Sequence, residues 1–230
     1  VNLRFGACTW AFGDEPLEWE HWKNQKQVRF YCGVGSDVVF GSNLVEAHMN
    51  ACIRAGIRIE GTNGEVMGAQ HEFQVGPLPA PDIAHQLWLA RYLLQRIGRD
   101  YGICVKFAPK PKSGDWNGAG AHTNFSTKAM RSEYSGTAMK AMDEAIAKLE
   151  TAHKSHIAVY GAGNEERLTG DHETCHIEKF RCRPLDRGSS IRIPFVPGKN
   201  PDHFEDRRPA ANVEPYEGCA VILETVCLEK

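Results

Sequence analysis

The chain has 230 residues, 42% of them hydrophobic, and a formal net charge of −2 from 27 basic and 29 acidic side chains. This near balance argues against nucleic acid or an anionic membrane surface as a partner, and the sequence contains no run of 18 apolar residues that would predict a membrane span. The length allows one good-sized hydrophobic core or two small ones. We interpret the start at Val1, which has neither an initiator methionine nor a signal-peptide pattern, as that of a processed or partial chain.

Hydrophobic spacing predicts four helices and four short strands. Asn43 and Asp82 are typical N-caps, and Gly56 and Gly102 are typical helix stops. In chain order the predicted elements are a helix at 43–55, strands at 57–60 and 70–75, a helix at 82–101, a strand at 103–107, a helix at 137–153, a strand at 189–193 and a helix at 216–228.

This irregular alternation predicts a single α+β domain. No glycine-rich phosphate-binding motif opens a helix, and no internal repeat is present. The first 30 residues fit the pattern poorly, because Trp10, Trp19 and Trp22 are interspersed with acidic residues without a clear period.

The cysteines give information about compartment. There are eight, without paired spacing, which favours reduced and mostly buried thiols over a disulfide framework. We therefore expect the cytoplasm or another reducing intracellular compartment. His172, Cys175 and His176, with Cys182 beyond, resemble a zinc cluster, but no second close pair of ligands completes it, so we do not predict structural zinc.

A run of glycine, amide and hydroxyl residues surrounds one imidazole at 117–126. Glycine lets backbone approach a ligand closely, amides and hydroxyls orient oxygen anions, and a neutral imidazole such as that of His122 can bind a metal. Three glutamates and two arginines lie in similar polar, turn-flanked segments: Glu65, Glu72, Glu205, Arg187 and Arg192.

These residue types are the ones that metal-assisted phosphoryl transfer requires. Hard divalent cations bind several carboxylate oxygens and water, and arginine forks bind phosphate or carboxylate. Spacing alone does not show that these side chains converge. The alternative is that the glutamates are surface charges and the arginines make ordinary ion pairs.

Five segments carry a resemblance to a known family. Residues 63–77, 110–130, 167–174, 190–194 and 204–209 closely resemble the motifs of eukaryotic-type glutamine synthetases, in the family's order and with nearly its spacing. The resemblance runs from about Tyr31 to Leu228. It implies a truncated catalytic domain of this family, an antiparallel sheet backed by helices, at 31–230, preceded by a degenerate N-terminal segment at 1–30.

The resemblance implies an activity, its substrates and its metals. Such enzymes join ammonia to L-glutamate with ATP, through γ-glutamyl phosphate, with Mg²⁺ or Mn²⁺. By resemblance, Glu65 and Glu72 bind one metal, and His122 and Glu205 bind the metal that bridges the ATP phosphates. The family places a further Glu-x-Glu pair on a strand ahead of the Cys-Gly-Val-Gly segment, for which Glu18 and Glu20 are the candidates here.

The resemblance also assigns the remaining site residues. Glu173 corresponds to the flap glutamate that deprotonates ammonium, and Arg187 and Arg192 to the arginines that stabilise the transferring phosphoryl group. The glutamate site comprises Trp116, Asn117, Gly118, Arg167 and Arg207. The ATP site comprises Glu72, Phe73, Gln74, Val75, Gly76, Pro77, Asn124, Phe125, Ser126, Arg187, Arg192, His203, Phe204 and Glu205.

Several departures from the family pattern leave alternatives open. The N-terminal β-grasp domain, which forms subunit rings in the family, has no counterpart, so a homo-oligomer is expected but a ring is doubtful. His203 stands where the family has tyrosine, Asp115 replaces asparagine, and Asp171 replaces an aromatic residue. The chain is therefore a working glutamine synthetase, a catalytically impaired structural or regulatory relative, or a fragment of the full enzyme.

Overall fold

The computed structural model describes residues 3–5, 8–12, 15–194 and 200–228, and the side chains from residue 15 onward within these ranges. Within these ranges the α-helices are α1 Trp19–Trp22, α2 Ser42–Arg54, α3 Asp82–Gly98, α4 Ser135–Thr151, α5 His153–Val159 and α6 Pro215–Cys227. The ten strands are β1 Leu3–Phe5, β2 Cys8–Phe12, β3 Glu15–Pro16, β4 Ile59–Gly64, β5 Gln70–Leu78, β6 Cys104–Lys106, β7 Thr123–Phe125, β8 Cys182–Pro184, β9 Ile191–Ile193 and β10 Phe204–Asp206.

The strands form two sheets. In the six-stranded sheet, β5 pairs with β4 on one side and with β1 and β2 on the other, while β2 also pairs with β3 and β6. The four-stranded sheet has the order β7-β10-β9-β8. All pairings are antiparallel except that of β8 with β9, which is parallel. The predicted mixture of helices and largely antiparallel sheet is confirmed.

The predicted helices are present, with different caps. Helix α2 begins at Ser42 behind a left-handed Gly41, and Asn43 Oδ1 accepts a bond from Leu44 N instead of capping the helix. Helix α3 begins after Pro81, so Asp82 lies in its first turn, where a carboxylate is favourable near the helix dipole. Gly102 is left-handed and ends the helical stretch as predicted.

The structure differs from the predicted elements in two ways: one predicted helix is divided, and several short strands were not predicted. The helix predicted at 137–153 is two helices, α4 and α5, which meet at Ala152. Strands β7, β8 and β10 were not predicted, because three residues are too few to show an alternating pattern. Two of these missed strands, β7 and β10, border the candidate site.

The described part of the N-terminal segment packs into the main core. Trp22 is fully buried, lies edge-on to Trp116 and Phe30, and donates from its indole to Leu17 O. A Cβ at Gly68 would lie 2.5 Å from the Trp22 ring, so the backbone there accommodates the indole. The domain boundary at residue 30 stays a prediction, but Trp22 belongs to the same core as the residues that follow it.

Three further expectations concern cysteines, zinc and membranes. Within the described ranges, seven cysteines are free thiols; Cys8 lies outside the described side chains. Over the same residues, no three His, Cys, Asp or Glu side chains form a group that could hold a metal ion, and no helix is long and apolar enough to cross a membrane.

Candidate active site

A polar pocket lies where the two sheets adjoin. Its residues come from the end of β4, the connection before β7, the turn after α5 and the end of β10. The pocket is lined by Glu65, Val66, Asn117, Gly118, Gly120, His122, Arg167, His172, Glu173, Thr174 and Arg207. Residues that are more than 140 positions apart in sequence therefore share one cavity, as the resemblance implies.

Two carboxylates form one half of the site. Glu65 follows β4 and Glu72 lies in β5, and the two side chains are within hydrogen-bonding reach. Burial, and then the charge of Glu72, raise the pKa of Glu65 to about 8. Asn63 Nδ2 lies 3.5 Å from Glu72 Oε2. Two acids held this close share a proton or are neutralised by a cation.

Positive side chains surround the third carboxylate, Glu205. Its oxygens accept bonds from Arg192 Nη1 at 2.9 Å and Arg207 Nη1 at 3.0 Å, and His122 Nδ1 lies 3.4 Å away. Burial alone would raise the pKa of Glu205, but His122 and the two arginines together lower it well below its usual range. Glu205 is therefore ionised and fixed in place at neutral pH.

Arg167 is fixed by backbone carbonyls. It donates from Nη2 to Arg207 O at 2.9 Å and from Nη1 to Arg208 O at 3.2 Å, and Nη2 lies 3.2 Å from His122 Nε2. Burial, and then the charge of Arg207, lower the pKa of Arg167 to about 9. Each ring nitrogen of His122 therefore faces a guanidinium, since Arg207 Nη1 lies 3.4 Å from Nδ1.

Glu173, the residue predicted to be the flap glutamate, lines this pocket together with His172. His172 and Glu173 both have left-handed backbone, with φ of 51° and 60°, a conformation that costs energy for residues other than glycine. Arg207 Nη2 donates to Glu173 O at 3.2 Å, and Arg187 Nη1 lies 3.6 Å from Glu173 Oε1. His172 Nε2 lies 3.0 Å from Oδ1 of the exposed Asp115.

Tyr31 is part of the site but was not predicted from the sequence. Its hydroxyl accepts a bond from Arg187 Nη2 at 3.1 Å, and the Arg187 guanidinium lies 5.1 Å from its ring centroid. The two contacts hold Arg187 beside Glu173. Tyr31 stands at the start of the resemblance, and it gave no signal because a tyrosine beside a glycine-rich turn is usually a packing residue.

The candidate metal ligands Glu18 and Glu20 do not lie with this group. They were expected on a strand, whereas Glu18 precedes α1 with a φ of 58° and Glu20 lies within that helix. His21 Nδ1 lies 2.7 Å from Glu18, and Lys23 Nζ lies 2.6 Å from Glu20. The physical reason is that a helical turn buries Trp22 and leaves the two acids facing solvent and nearby bases.

The residues predicted to line the ATP site fall into two groups, one with partly exposed side chains and one with side chains buried in the core. Glu72, Gln74 and Asn124 are partly exposed, but the intervening side chains of the same strands are buried in the core. These core side chains are Phe73, Val75, Phe125 and Phe204. Phe125 stacks on Phe204 with ring centroids 5.2 Å apart. Only their backbone is available to a nucleotide.

Three other residues predicted to contact substrates are not among the residues that line the pocket. Trp116 packs edge-on against Trp19, with ring centroids 5.1 Å apart. Ser126 Oγ donates to Asp202 O at 2.5 Å, and His203 Nδ1 lies 2.6 Å from Asp202 Oδ1. The backbone of Gly76 and Pro77 continues β5 beyond Glu72.

A larger cavity, of about 790 Å³, lies elsewhere, between α4, α5 and α6. Its charged lining residues are Lys148 and Glu224, with alanine, valine, leucine, serine and threonine around them. The polar cluster around His122 remains the better candidate for chemistry, because its acids and bases converge.

Comparison with known proteins decides the family. Residues 18–228 match the catalytic domain of glutamine synthetase. The chain belongs to the glutamine synthetase family. The matched region starts at residue 18, ahead of the predicted boundary at residue 31, and the family predicted from the sequence motifs is confirmed.

Individual family members show the extent of the similarity. The chain is 51% identical over 214 residues to a glutamine synthetase of Neurospora crassa, covering 92% of the chain and 58% of that protein. It is 53% identical over 203 residues to a cytosolic glutamine synthetase isozyme of Daucus carota, 88% of the chain and 57% of that protein. A putative glutamine synthetase of Acanthamoeba polyphaga mimivirus is 48% identical over 215 residues, 93% and 60% respectively. The chain thus spans less than two thirds of the relatives' length.

Proposed function

We propose that this chain carries the catalytic site for ATP-dependent ligation of ammonia to L-glutamate, giving L-glutamine through γ-glutamyl phosphate. The observation that carries the proposal is a pocket lined by Glu65, His122, Arg207 and Glu173. Behind these residues, Glu72 lies against Glu65, and Glu205 bonds to Arg207 and lies 3.4 Å from His122. Membership of the glutamine synthetase family supports the same reaction.

The donor groups fit divalent cations that complete their coordination with water and phosphate. The Glu65–Glu72 pair supplies one set of carboxylate oxygens, and His122 with Glu205 supplies an imidazole and another carboxylate. Magnesium is commonly held by one or two carboxylates together with substrate phosphates, so two donors at each position suffice. We propose Mg²⁺ or Mn²⁺ as the metal. When bound, it would neutralise phosphate charge and draw nucleotide and glutamate together.

The chain's own residues then perform three tasks. Arg187 and Arg192 stabilise the phosphoryl group as it passes from ATP to the γ-carboxylate of glutamate. Arg192 has a donor to spare, since its buried Nε finds no acceptor among the described residues. Glu173 takes a proton from ammonium, so that ammonia attacks the acyl carbon and phosphate leaves.

The flap also protects the intermediate. A γ-glutamyl phosphate exposed to water would hydrolyse, so the left-handed turn that brings Glu173 over the pocket excludes water while ammonia reacts. We propose that Asn117 and Gly118 orient the substrate glutamate and that Trp116 supports them from behind. We propose that Arg167 and Arg207, which both line the pocket, supply the positive charge for the carboxylates of the substrate.

The burial of side chains limits which residues we propose as contacts of ATP. We propose side-chain contacts from Glu72, Gln74, Asn124, His203 and Glu205. Contacts by Phe73, Val75, Phe125 and Phe204 would be limited to backbone, because these side chains are buried. The same distinction predicts that mutations at the four apolar positions act on stability first.

Compartment and assembly are also proposals. We propose a reducing compartment such as the cytosol, supported by the cytosolic isozyme among the relatives, and assembly as a homo-oligomer. Glu18 and Glu20, which bind His21 and Lys23 instead, favour a second candidate function. This is an impaired relative that binds nucleotide without turnover.

One assay separates the two functions. Glutamine and ADP are measured with ATP, glutamate and ammonium, in Mg²⁺ and in Mn²⁺, alongside binding of Mn²⁺·ADP. Equal amounts of glutamine and ADP support the ligase. Binding without glutamine supports the impaired relative, and absence of both overturns the proposed site. Glu205→Gln should abolish activity, whereas the exposed Glu178→Gln should retain it.

A further inference from the structure

The side chains of residues 205–208 alternate between two sides of the backbone. Arg207 lines the pocket and donates to Glu205 Oε1 at 3.0 Å. Asp206 and Arg208 face the other way and are completely or almost completely buried, with 0% and 1% exposure. The residues that build the site thus alternate with a buried ion pair behind it.

The ion pair is fixed by a second layer of polar groups. Arg208 donates from Nε to Asp206 Oδ1 at 2.9 Å and from Nη2 to Oδ2 at 2.7 Å, and Arg208 N also donates to Oδ1 at 3.0 Å. Helix α5 and the residue that follows it add three partners: His153, His156 and Tyr160. We call these five residues the buried cluster.

The shortest hydrogen bonds indicate the protonation of both histidines; Arg208 Nη2 also lies 3.4 Å from His156 Nδ1, farther than the Tyr160 hydroxyl. His153 Nε2 bonds to Ile177 O at 2.8 Å, so it carries the proton, and Nδ1 accepts from Arg208 Nη1 at 3.1 Å. The Tyr160 hydroxyl donates to Asp206 Oδ2 at 2.7 Å and therefore accepts from His156 Nδ1 at 2.7 Å. His156 Nε2 is left to accept from Thr225 Oγ1 at 2.8 Å. Every member is satisfied, which is the condition under which a buried network specifies one geometry.

The cluster reaches the pocket through two backbone carbonyls. Arg207 O and Arg208 O both accept from the guanidinium of Arg167, whose Nη2 lies 3.2 Å from His122 Nε2. Asn164 Nδ2 donates to Arg208 O at 2.8 Å and strengthens the same link. A shift of the Asp206–Arg208 pair would therefore move the groups that hold Arg167 against His122.

We propose that Tyr160 is a positioning residue for the active site: its hydroxyl, through Asp206 and Arg208, fixes the carbonyls that hold Arg167. Tyr160 is fully buried and is not among the residues that line the pocket. The proposal rests on the proposed function for its readout with nucleotide, but its effect on Arg167 does not depend on turnover.

Two variants that each lack one hydroxyl group, a test variant and a control, are compared. Tyr160→Phe keeps the ring, which packs 5.3 Å from the Arg208 guanidinium, and removes the bond to Asp206. Thr225→Val is the matched control, since it also removes a hydroxyl partner of His156 but lies away from the Asp206 side. For both variants we would measure Tm, the Kd of Mn²⁺·ADP, and the rate at which phenylglyoxal modifies Arg167, read by mass spectrometry well below Tm.

Tyr160→Phe should weaken Mn²⁺·ADP binding about three- to tenfold and speed modification of Arg167 by a similar factor. Thr225→Val should change both by less than about twofold, even at an equal loss of Tm. Unchanged Arg167 reactivity in Tyr160→Phe, or equal changes in both variants, would overturn the proposal. If the wild-type chain binds no Mn²⁺·ADP, the proposed function fails, and Arg167 reactivity still decides the positioning role.

A second variant covers the case in which Tyr160→Phe does not fold. His153→Leu removes the acceptor of Arg208 Nη1 from the other side of the pair, and it should expose Arg167 to the reagent in the same direction. Unchanged reactivity of Arg167 in folded His153→Leu would contradict a role for the buried cluster in holding the site.

Discussion

Gly120 shows how closely the backbone approaches the side chains of Arg167 and His122. A Cβ built on it would lie 2.8 Å from His122 Nε2 and closer still to Arg167 Nη2, distances that real side chains do not adopt. Gly118 is similarly enclosed, with Pro109 O 2.6 Å from its hypothetical Cβ. The two glycines are therefore required by space rather than by backbone conformation, because neither has a positive φ.

Gly120→Ala should displace Arg167 from His122 and thereby weaken the site. Overpacking of this kind costs about 1–3 kcal/mol, so we expect a lower Tm together with a lower affinity for Mn²⁺·ADP. Gly136→Ala is the control, because a Cβ there meets nothing within 4 Å, and it should leave both measurements unchanged or slightly raise Tm. Equal behaviour of the two variants would contradict the close packing around Gly120.

At this scale the sequence predicted residues whose chemistry is visible in a motif. Glu65, His122 and Arg207 could be named because glycines and polar residues surround them in long family motifs. Tyr31 could not, because its role depends on Arg187, which lies 156 positions away and reaches its hydroxyl only in the folded chain. Glu18 and Glu20 were predicted as possible ligands from a two-residue pattern, which is too short to distinguish a strand from the helical turn that forms.

At the scale of elements, strand alternation decides which residues can reach a ligand. Along β5, Glu72 and Gln74 are partly exposed while Phe73 and Val75 are buried, so one strand serves the pocket on one face and the core on the other. Strand β10 is buried along its whole length, and its polar residues are bonded instead, Glu205 to Arg207 and Asp206 to Arg208. The sequence predicted β5 as a short extended run that stops before Gly76 and Pro77, whereas the strand continues to Leu78. The three-residue strand β10 was not predicted, so neither were the two ion pairs along it.

The flap element gives a second prediction. Glu173→Gln keeps the size of the side chain but removes the charge beside Arg187 and the proposed base for ammonium. Glutamine formation should fall about a hundredfold or more, the usual contribution of a general base. Mn²⁺·ADP binding should persist, because the groups around Glu205 are untouched. The measurement is glutamine and ADP under the same conditions.

The outcome for ADP separates two roles of the flap. ADP formed without glutamine would mean that γ-glutamyl phosphate still forms and is hydrolysed. Loss of both products would mean that the flap is needed for the first step. Full glutamine formation by Glu173→Gln would remove Glu173 from the catalytic residues.

At the scale of the whole molecule, the core holds an unusual number of neutral histidines. His48 lies between α2 and α3, bonded to Ala90 O; His71 bonds to Phe40 O beneath the six-stranded sheet; and His156 lies in the buried cluster. Burial is the main cause that lowers the pKa of each to about 4. The three lie in different parts of the fold, so their effects on stability should be nearly additive.

These histidines predict acid sensitivity. In the unfolded chain they take up protons near pH 6.5, but in the folded chain only near pH 4. Between these values the unfolded state binds more protons, so the free energy of unfolding decreases as pH falls. The slope reaches at most about 1.4 kcal/mol per pH unit for each histidine, or about 4 for three.

The raised pKa of Glu65 predicts that the free energy of unfolding also decreases on the alkaline side. This pKa is raised to about 8 in the folded chain, so between about pH 4.5 and 8 the folded state binds the extra proton and stability decreases as pH rises. Urea unfolding across pH 4–9 in the presence of a chelator should therefore show a maximum near pH 7, where the loss of histidine protons from the unfolded state and of the Glu65 proton from the folded state balance. Glu65→Gln should remove the decrease in stability at alkaline pH and leave the decrease at acid pH.

Two outcomes would contradict these predictions. Stability that is constant from pH 4 to 6.5 would contradict the burial of the histidines. A decrease at alkaline pH that persists in Glu65→Gln would contradict the shared proton of the Glu65–Glu72 pair.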